Sequence, residues 1–355
     1  MAFGALGGSH DDTAAFQTAL NSGTMVFVPP TTNFTVGTLY LTNGARIFGY
    51  GSRMDFKSGV NNAAMFEQGT NINISMQGLA LYGGDFSDTV TRTGSSGRIG
   101  IRPFCYGAGS EIYNVSVGGF DYGVYPTGNR HTTNSYLTTA ISLHDITCYS
   151  NYCGLRLHSP TDTQMVEYLD LRNMNLYGNN IGYYESAGNN SITASRIDGN
   201  IHGVVCDGAI GVNPNHGIIS STKINHNDYG LCLTNLSTYG ILITGCRIHN
   251  SGNSYFNNCQ GVQIIGNYLD IGFIRCYGNY SNNFIIGNMY AGVYTNGGTP
   301  YSQNFAWVTG ENLFTHYGNY SYSVPGNTDG IINATNVPSI GNALRWNGTN
   351  YYWGN

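Results

Sequence analysis

Four stretches share one grammar: LHDITCYSNYCGLRLH (143–158), LRNMNLYGNNIGYYES (171–186), ASRIDGNIHGVVCD (194–207) and STKINHNDYGLCLT (221–234). Each runs from an apolar position through a polar step containing Asn to a Gly that opens a short strand. The asparagines Asn151, Asn179, Asn200 and Asn227 are spaced 28, 21 and 27 residues apart, and Gly154, Gly182, Gly203 and Gly230 keep the same gaps. Two later units, IIGNYLDIGF (264–273) and IIGNMYAGVY (285–294), repeat at 21 residues with one residue added before the Gly. A unit of this length with two or three short strands and no helix is one coil of a parallel β-helix. A leucine-rich repeat would need a fixed Leu and Asn spacing that is absent, and a sandwich would show hairpin signals. Asn and Gly tolerate the left-handed backbone of a sharp corner, and stacked Asn amides can hydrogen-bond from coil to coil. Cys148, Leu176, Ile197 and Ile224 hold equivalent places and are expected to line the interior.

The composition agrees. Only 9% of the 355 residues are charged, against about 25% in an average globular protein. Gly (50) and Tyr (28) are abundant, and 41% apolar residues rule out a disordered chain. The solvent face must then be built from Asn, Ser, Thr and Tyr, which suits hydroxyl-rich ligands met by hydrogen bonding and ring stacking. A net charge of −5 gives no basic footprint for nucleic acid. No apolar run approaches a membrane span. The start MAFGALGG lacks the charged end and apolar core of a signal peptide, implying either assembly inside a cell or an earlier loss of a leader. The eight cysteines form no C-x-x-C pair, which argues against zinc and for small buried hydrophobes.

The N-terminal stretch HDDTAAFQTALNSGTMVFVPP (10–30) reads as a helix followed by a strand. Asp11 or Asp12 is placed to cap the helix, and Ala15, Phe16, Ala19 and Leu20 form one apolar stripe. Gly23 stops the helix, Met25 to Val28 is a strand, and Pro29-Pro30 ends it. A β-helix leaves an unpaired strand edge and an open apolar bore at each end. The helix at 11–21 is placed to plug the first. DDTAAFQTAL, GTMVFVPP and FTVGTLYLTNGARIFGYGSR together resemble the N-terminal cap of pectin-lyase-like right-handed β-helices, notably bacteriophage tailspikes and related depolymerases. With the repeats, the resemblance covers residues 9 to 295. The ending LRWNGTNYYW looks like the C-terminal strands of phage tail and fibre proteins.

The expected fold is all-β: a short arm (1–10), a right-handed single-stranded parallel β-helix with its capping helix (11–295), and a small C-terminal β cap and trimerisation region (296–355). The resemblance implies a homotrimeric tailspike in the virion that attaches to a host by recognising and cleaving a surface polysaccharide, O-antigen or capsule. It implies no cofactor, and attachment to a phage tail or adaptor protein through the short arm. A secreted polysaccharide lyase or hydrolase, and a non-catalytic adhesin, are the competing readings.

Two activities of the superfamily leave signatures that are incomplete here. Asn327-Thr328-Asp329 matches one polygalacturonase motif without its partners, and Arg102-Pro103 lacks the downstream Arg of a pectate lyase. Stacking geometry narrows the search instead. Coils rise by about 4.8 Å, so outward acids on neighbouring coils approach the ~5–5.5 Å of a retaining glycosidase, and more distant pairs the ~6.5–9.5 Å of an inverting one. Counting from each Gly, Arg156, His158, Tyr184, Ser186, Val205, Asp207, Cys232 and Thr234 should face outward. Tyr168, Asp170 and Arg172 share an outward parity flanked by Ser142 and Ser191, with Glu167 at the loop–strand junction. Glu185 falls on the inward parity. Either its strand ends early, or it is a buried carboxyl with the raised pKa a general acid needs. Asp145, Asp198 and Asp228 read as turn residues. The candidate catalytic residues are Glu167, Asp170, Glu185 and Asp207, the candidate substrate-binding residues Arg156, His158 and Tyr184, and no metal ligands are expected. The long segments 83–100, 126–140 and 158–166 are expected to wall a groove.

Overall fold

Three kinds of corner cut the chain into short straight strands. At the first, a single residue takes a positive φ: Asn114 (52°), Asp145 (55°), Asn173 (50°), Ala194 (49°) and Ser221 (49°), then Gly245 (60°) and Gly266 (64°). At the second it is Ser150 (49°), Gly178 (61°), Gly199 (62°) and His226 (50°). At the third it is Tyr168 (59°), Asn189 (56°), Asn235 (53°) and Asn258 (52°). The computed structural model describes residues 2–301 except 70–71, 85, 87–93, 105–108, 129–140, 160–164, 209–215, 237–239, 252–253, 272–273, 278–282, 287, 292–293 and 297–298. Beyond 301 it describes 314–317, 320–322, 343–346 and 351–354.

Between the corners lie three faces. Face 1 includes Asp170–Arg172, Ser191–Thr193, Ile218–Ser220, Leu242–Thr244 and Gln263–Ile265. Face 2 includes Asn175–Tyr177, Arg196–Asp198, Lys223–Asn225, Arg247–Ser251 and Tyr268–Ile271. Face 3 includes Cys153–His158, Ile181–Ser186, His202–Asp207, Tyr229–Thr234 and Ser254–Asn257. Every strand of these faces pairs in parallel with its counterpart one coil on. Toward the N-terminus, the long strands Ile74–Tyr82, Glu111–Gly118 and Ser142–Tyr149 carry faces 1 and 2 together, bent at the first corner. The interior stack is in register as expected: Cys148, Leu176, Ile197 and Ile224 are buried, and Ile248 and Leu269 continue the column.

A ladder of buried asparagine amides ties the coils at the second corner. Asn179 Oδ1 accepts from the Asn151 backbone N–H (2.9 Å) and from Asn151 Nδ2 (3.1 Å). Asn200 does the same for Asn179 (2.9 and 3.0 Å), and Asn227 for Asn200 (3.0 and 3.0 Å). Each Nδ2 also donates to a strand-end carbonyl, Asn179 to Cys148 and Asn200 to Leu176. Thus each amide satisfies backbone groups that the corner takes out of the sheet. The repeating glycines serve this ladder by lacking a Cβ. The backbone at Gly154, Gly182 and Gly203 is not left-handed; it is the residue before each Asn that turns the corner. A Cβ on Gly154 would stand 3.1 Å from Asn179 Nδ2, and one on Gly182 2.8 Å from Asn200 Nδ2.

Asn267 and Asn288 belong to the first corner. Cys246 N donates to Asn267 Oδ1 and Asn267 N to Asn288 Oδ1, both at 2.9 Å. They extend a column in which Met174 N donates to Ser195 Oγ (3.0 Å). The later units therefore repeat the earlier ones in spacing and chemistry while standing one corner away.

The helix Thr13–Asn21 covers the first coil, with Phe16, Ala19 and Leu20 buried. Phe16 meets Phe34 edge to face at 5.2 Å. Gln17 occupies the open strand edge: its Nε2 donates to Tyr40 O (2.9 Å) and its Oε1 accepts from Tyr40 N (2.8 Å). Of the two acids, Asp11 bonds Thr13 N at the helix start (3.1 Å). Asp12 is buried and instead accepts from Leu6 and Gly7 N–H (2.8 and 2.9 Å), folding the arm onto the cap. At the far end, parallel coil pairing runs past residue 295, through Phe314–Tyr317 and Tyr320–Tyr322. Most of 296–355 lies outside the described residues, with antiparallel hairpins at Tyr294–Tyr301 and Ala343–Gly354.

Among the described residues, one carboxyl sits in the aliphatic stack of the core. The strand Ile181–Ser186 does not end early, so Glu185 points into the bore at 1% exposure, in register between Leu157 and Cys206. Tyr183 Oη donates to Glu185 Oε2 (2.8 Å) and Asn190 Nδ2 to Oε1 (3.2 Å). Burial raises the carboxyl to about 7, against the opposing pull of these two bonds.

Two stability measurements follow from this core. Asn179→Ala would strand the Asn151 N–H and the Cys148 carbonyl; at about 1–3 kcal/mol per unsatisfied buried group, its melting temperature should fall clearly, while outward Thr193→Ala stays near wild type. For Glu185 the native form holds its proton more tightly than the unfolded chain. Its stabilising contribution is therefore full below about 4.5 and lost as pH rises to about 7. Glu185→Gln should remove that dependence and melt above wild type at pH 8, by a difference on the order of 3 kcal/mol. Parallel pH–melting curves for the two proteins would contradict the assignment.

Candidate functional site

Face 3 carries an outward column built by register alone. Tyr40 pairs with Glu67, Glu67 with Arg102, Arg156 with Tyr184, Tyr184 with Val205, and Val205 with Cys232. Tyr125 lies between Arg102 and Arg156, since Val124 pairs with both Ile101 and Leu155. The Arg156 guanidinium is enclosed by three rings, 4.7 Å from the centre of Tyr122, 4.9 Å from Tyr125 and 5.5 Å from Tyr184. Its Nε is buried and has no hydrogen-bond partner among the described residues, and the same holds for Arg102 Nε. A guanidinium held flat by aromatic faces keeps its geometry without a carboxylate partner, leaving donors for a ligand's oxygens. Further toward the N-terminus, Arg102 Nη1 does bind Glu67 (3.0 Å), whose carboxyl is raised by burial against the pull of Arg102.

The sequence-based candidates separate onto different surfaces. Arg156, Tyr184, His158 and Asp207 all lie on the outer side of face 3. Burial raises the Tyr184 hydroxyl, with the nearby Asp207 charge acting in the same direction. His158 Nδ1 bonds Ser186 Oγ at 2.5 Å, and burial, reinforced by Arg156, lowers its imidazole to about 4. It is therefore neutral near pH 7. Glu167 stands where face 3 turns into face 1, bridged to Gly188, and its charge acts on His216. Asp170 is on face 1, exposed and paired with Arg172 at 3.0 Å, with Ser142 and Ser191 as its neighbours in register. Glu185, expected as a catalytic acid, is inside the bore, where an external polymer does not reach it.

Tyr122, Tyr125, Glu67 and Arg102 lie N-terminal to Asn151, the first rung of the amide ladder, and so outside the repeat visible in the sequence. Gly123 carries the same grammar one coil earlier: a Cβ there would stand 3.1 Å from Asn151 Nδ2. Both tyrosines flank that glycine, at offsets of −1 and +2. Residues 129–140 and 160–164, the greater part of two expected groove walls, lie outside the described residues. Among the described residues, no cluster of His, Cys, Asp and Glu is placed to hold a metal ion, and no helix is long and apolar enough to cross a membrane.

No protein-family model and no curated protein matches the sequence. Solved structures do match. The A-module of mannuronan C-5 epimerase AlgE6 from Azotobacter vinelandii superposes with a TM-score of 0.66 at 19% identity, over 91% of this chain and 98% of that one. The catalytic unit of a GH87 α-1,3-glucanase from Streptomyces thermodiastaticus gives 0.52 at 15%, over 92% and 69%. Pre-mature gene product 12 of bacteriophage phi29 gives 0.52 at 12%, over 83% of this chain and 52% of that one. At such identities the likeness is one of architecture, and the chain is a right-handed parallel β-helix.

Proposed function

We propose that this chain is the glycan-recognising body of a phage tailspike, a homotrimer that grips a host surface polysaccharide, O-antigen or capsule, along face 3 and cleaves it. The observation that carries the reading is Arg156. A rigid scaffold holds its guanidinium among Tyr122, Tyr125 and Tyr184, with no carboxylate ion pair among the described residues. Tyrosine rings and a planar fork suit sugar rings and their hydroxyl or carboxylate oxygens. In support, two of the proteins sharing the fold are named for action on mannuronan and on α-1,3-glucan, and the third is a bacteriophage gene product.

For cleavage, Asp207 follows Val205, the partner of Tyr184, by two residues and its charge acts on the Tyr184 hydroxyl, and Glu167 stands at the same end of face 3. We assign proton transfer to Asp207 and the second carboxylate role to Glu167. Tyr184, a protonated phenol at neutral pH, donates to a sugar oxygen, and neutral His158 backs the floor through Ser186. Asp170, on another face, and Glu185, in the bore, take no part. The few charges and many tyrosines of the long flanks suit contact with two further copies of the chain.

With purified host polysaccharide, Arg156→Ala should weaken binding at least tenfold. Asp207→Asn and Glu167→Gln should keep binding and lose ~10²–10⁴ in cleavage rate, while Asp170→Asn and Glu185→Gln keep full turnover. Undiminished binding by Arg156→Ala, or full turnover by Asp207→Asn, would move the site elsewhere. Sedimentation should give about three times the 38.4 kDa chain mass, and a monomer at micromolar concentration would contradict the trimer.

A further inference from the structure

Face 2 carries a charge pattern that face 3 does not use. Arg196 pairs in register with Lys223 and Lys223 with Arg247, so three cations occupy one outward column on consecutive coils. All three residues are exposed. Parallel strands lie about 4.8 Å apart, and like charges directly opposite destabilise a sheet. The chain has only 14 Lys and Arg residues and two lysines, so this single file uses a disproportionate share of its cations. Internal neutralisation is partial. Asp198 binds Arg196 (2.5 Å) and His226 Nδ1 (3.0 Å). Arg247 lies 5.2 Å from the centre of the Tyr268 ring, a contact that leaves its charge intact. Lys223, in the middle, makes no ion pair among the described residues. The adjacent column runs Asp198, Asn225 and His249, and the His226 and His249 rings stand 6.3 Å apart at the corner.

We infer that this file is a second glycan-binding surface, selective for an anionic, uronate-bearing chain laid along the coil axis. An extended run of pyranosides advances by roughly one coil rise per sugar, so a short run spans the file and its carboxylates relieve the repulsion among the three cations. A neutral glycan would not relieve it. Nucleic acid fits less well, because the protein as a whole carries −5 and repels a long polyanion beyond the file. The surface lies on a different face from Arg156 and Tyr184, so it can hold while the face 3 reading fails, and the reverse.

The test uses the full chain, the triple variant R196Q/K223Q/R247Q, the single variant Lys223→Gln and Arg156→Ala. Binding to polygalacturonate is measured at low and high salt, with dextran as the neutral polymer and oligodeoxythymidylate as the nucleic acid. The wild type should bind polygalacturonate with an affinity that falls as salt screens the charges. The triple variant should bind at least tenfold more weakly at low salt with unchanged or higher melting temperature, and Lys223→Gln, which breaks no ion pair, should lose part of that. Adding the triple substitution to Arg156→Ala should cause a further loss of the same size as in the wild type. Undiminished affinity in the triple variant, loss only in Arg156→Ala, or equally tight binding of dextran or oligodeoxythymidylate would each overturn the inference.

Discussion

The structure rests on the hydrogen bond from one buried asparagine amide to the next. Each coil has to turn a corner in a single residue, a conformation that costs a non-glycine residue roughly 1–2 kcal/mol and interrupts the regular strand pairing. Asn151, Asn179, Asn200 and Asn227 return bonds to the backbone at that place, coil after coil. Because the ladder holds neighbouring coils in one register, every outward column inherits the same alignment. The ring cage about Arg156 and the file of cations on face 2 are both consequences. Neither needs a dedicated loop. Each needs only the right residue at the right offset from its Asn.

This dependence explains how much could be read in advance. The Asn and Gly offsets revealed the coil, the inward stack and the outward parity of Arg156, Tyr184 and Asp207. They could not tell the first corner from the second. Both use a left-handed residue followed by an inward polar side chain, so Asn267 and Asn288 look like further rungs of the ladder formed by Asn227. The reason for the repeating glycines was also hidden, since a missing Cβ beside an amide leaves the same letter in the sequence as a left-handed turn. Asp12 looked like a helix cap, but it bonds the backbone of Leu6 and Gly7 behind it, a contact set by how the arm folds back.

At the candidate site, parity predicts direction but not face. Asp170 and Asp207 both point outward, but from different faces of the coil. Glu185 was legible as an inward carboxyl; what its parity could not reveal was that Tyr183 and Asn190 accommodate it there without any role at the surface. The two outer surfaces that emerge are chemically unlike. Face 3 offers aromatic planes around one arginine, suited to the shape and hydroxyls of sugar rings, whereas face 2 offers bare charge at regular spacing. A long glycan with acidic branches or blocks could engage both without any movement of the scaffold.

The most direct test is a crystal structure of the protein bound to an oligosaccharide from a bacterial surface polysaccharide. The account predicts sugar rings against Tyr122 and Tyr184, an oxygen within hydrogen-bond distance of the Arg156 guanidinium, and a glycosidic oxygen next to Asp207. An oligosaccharide bound with no contact to Arg156, whether on another face or in a groove between chains, would contradict it.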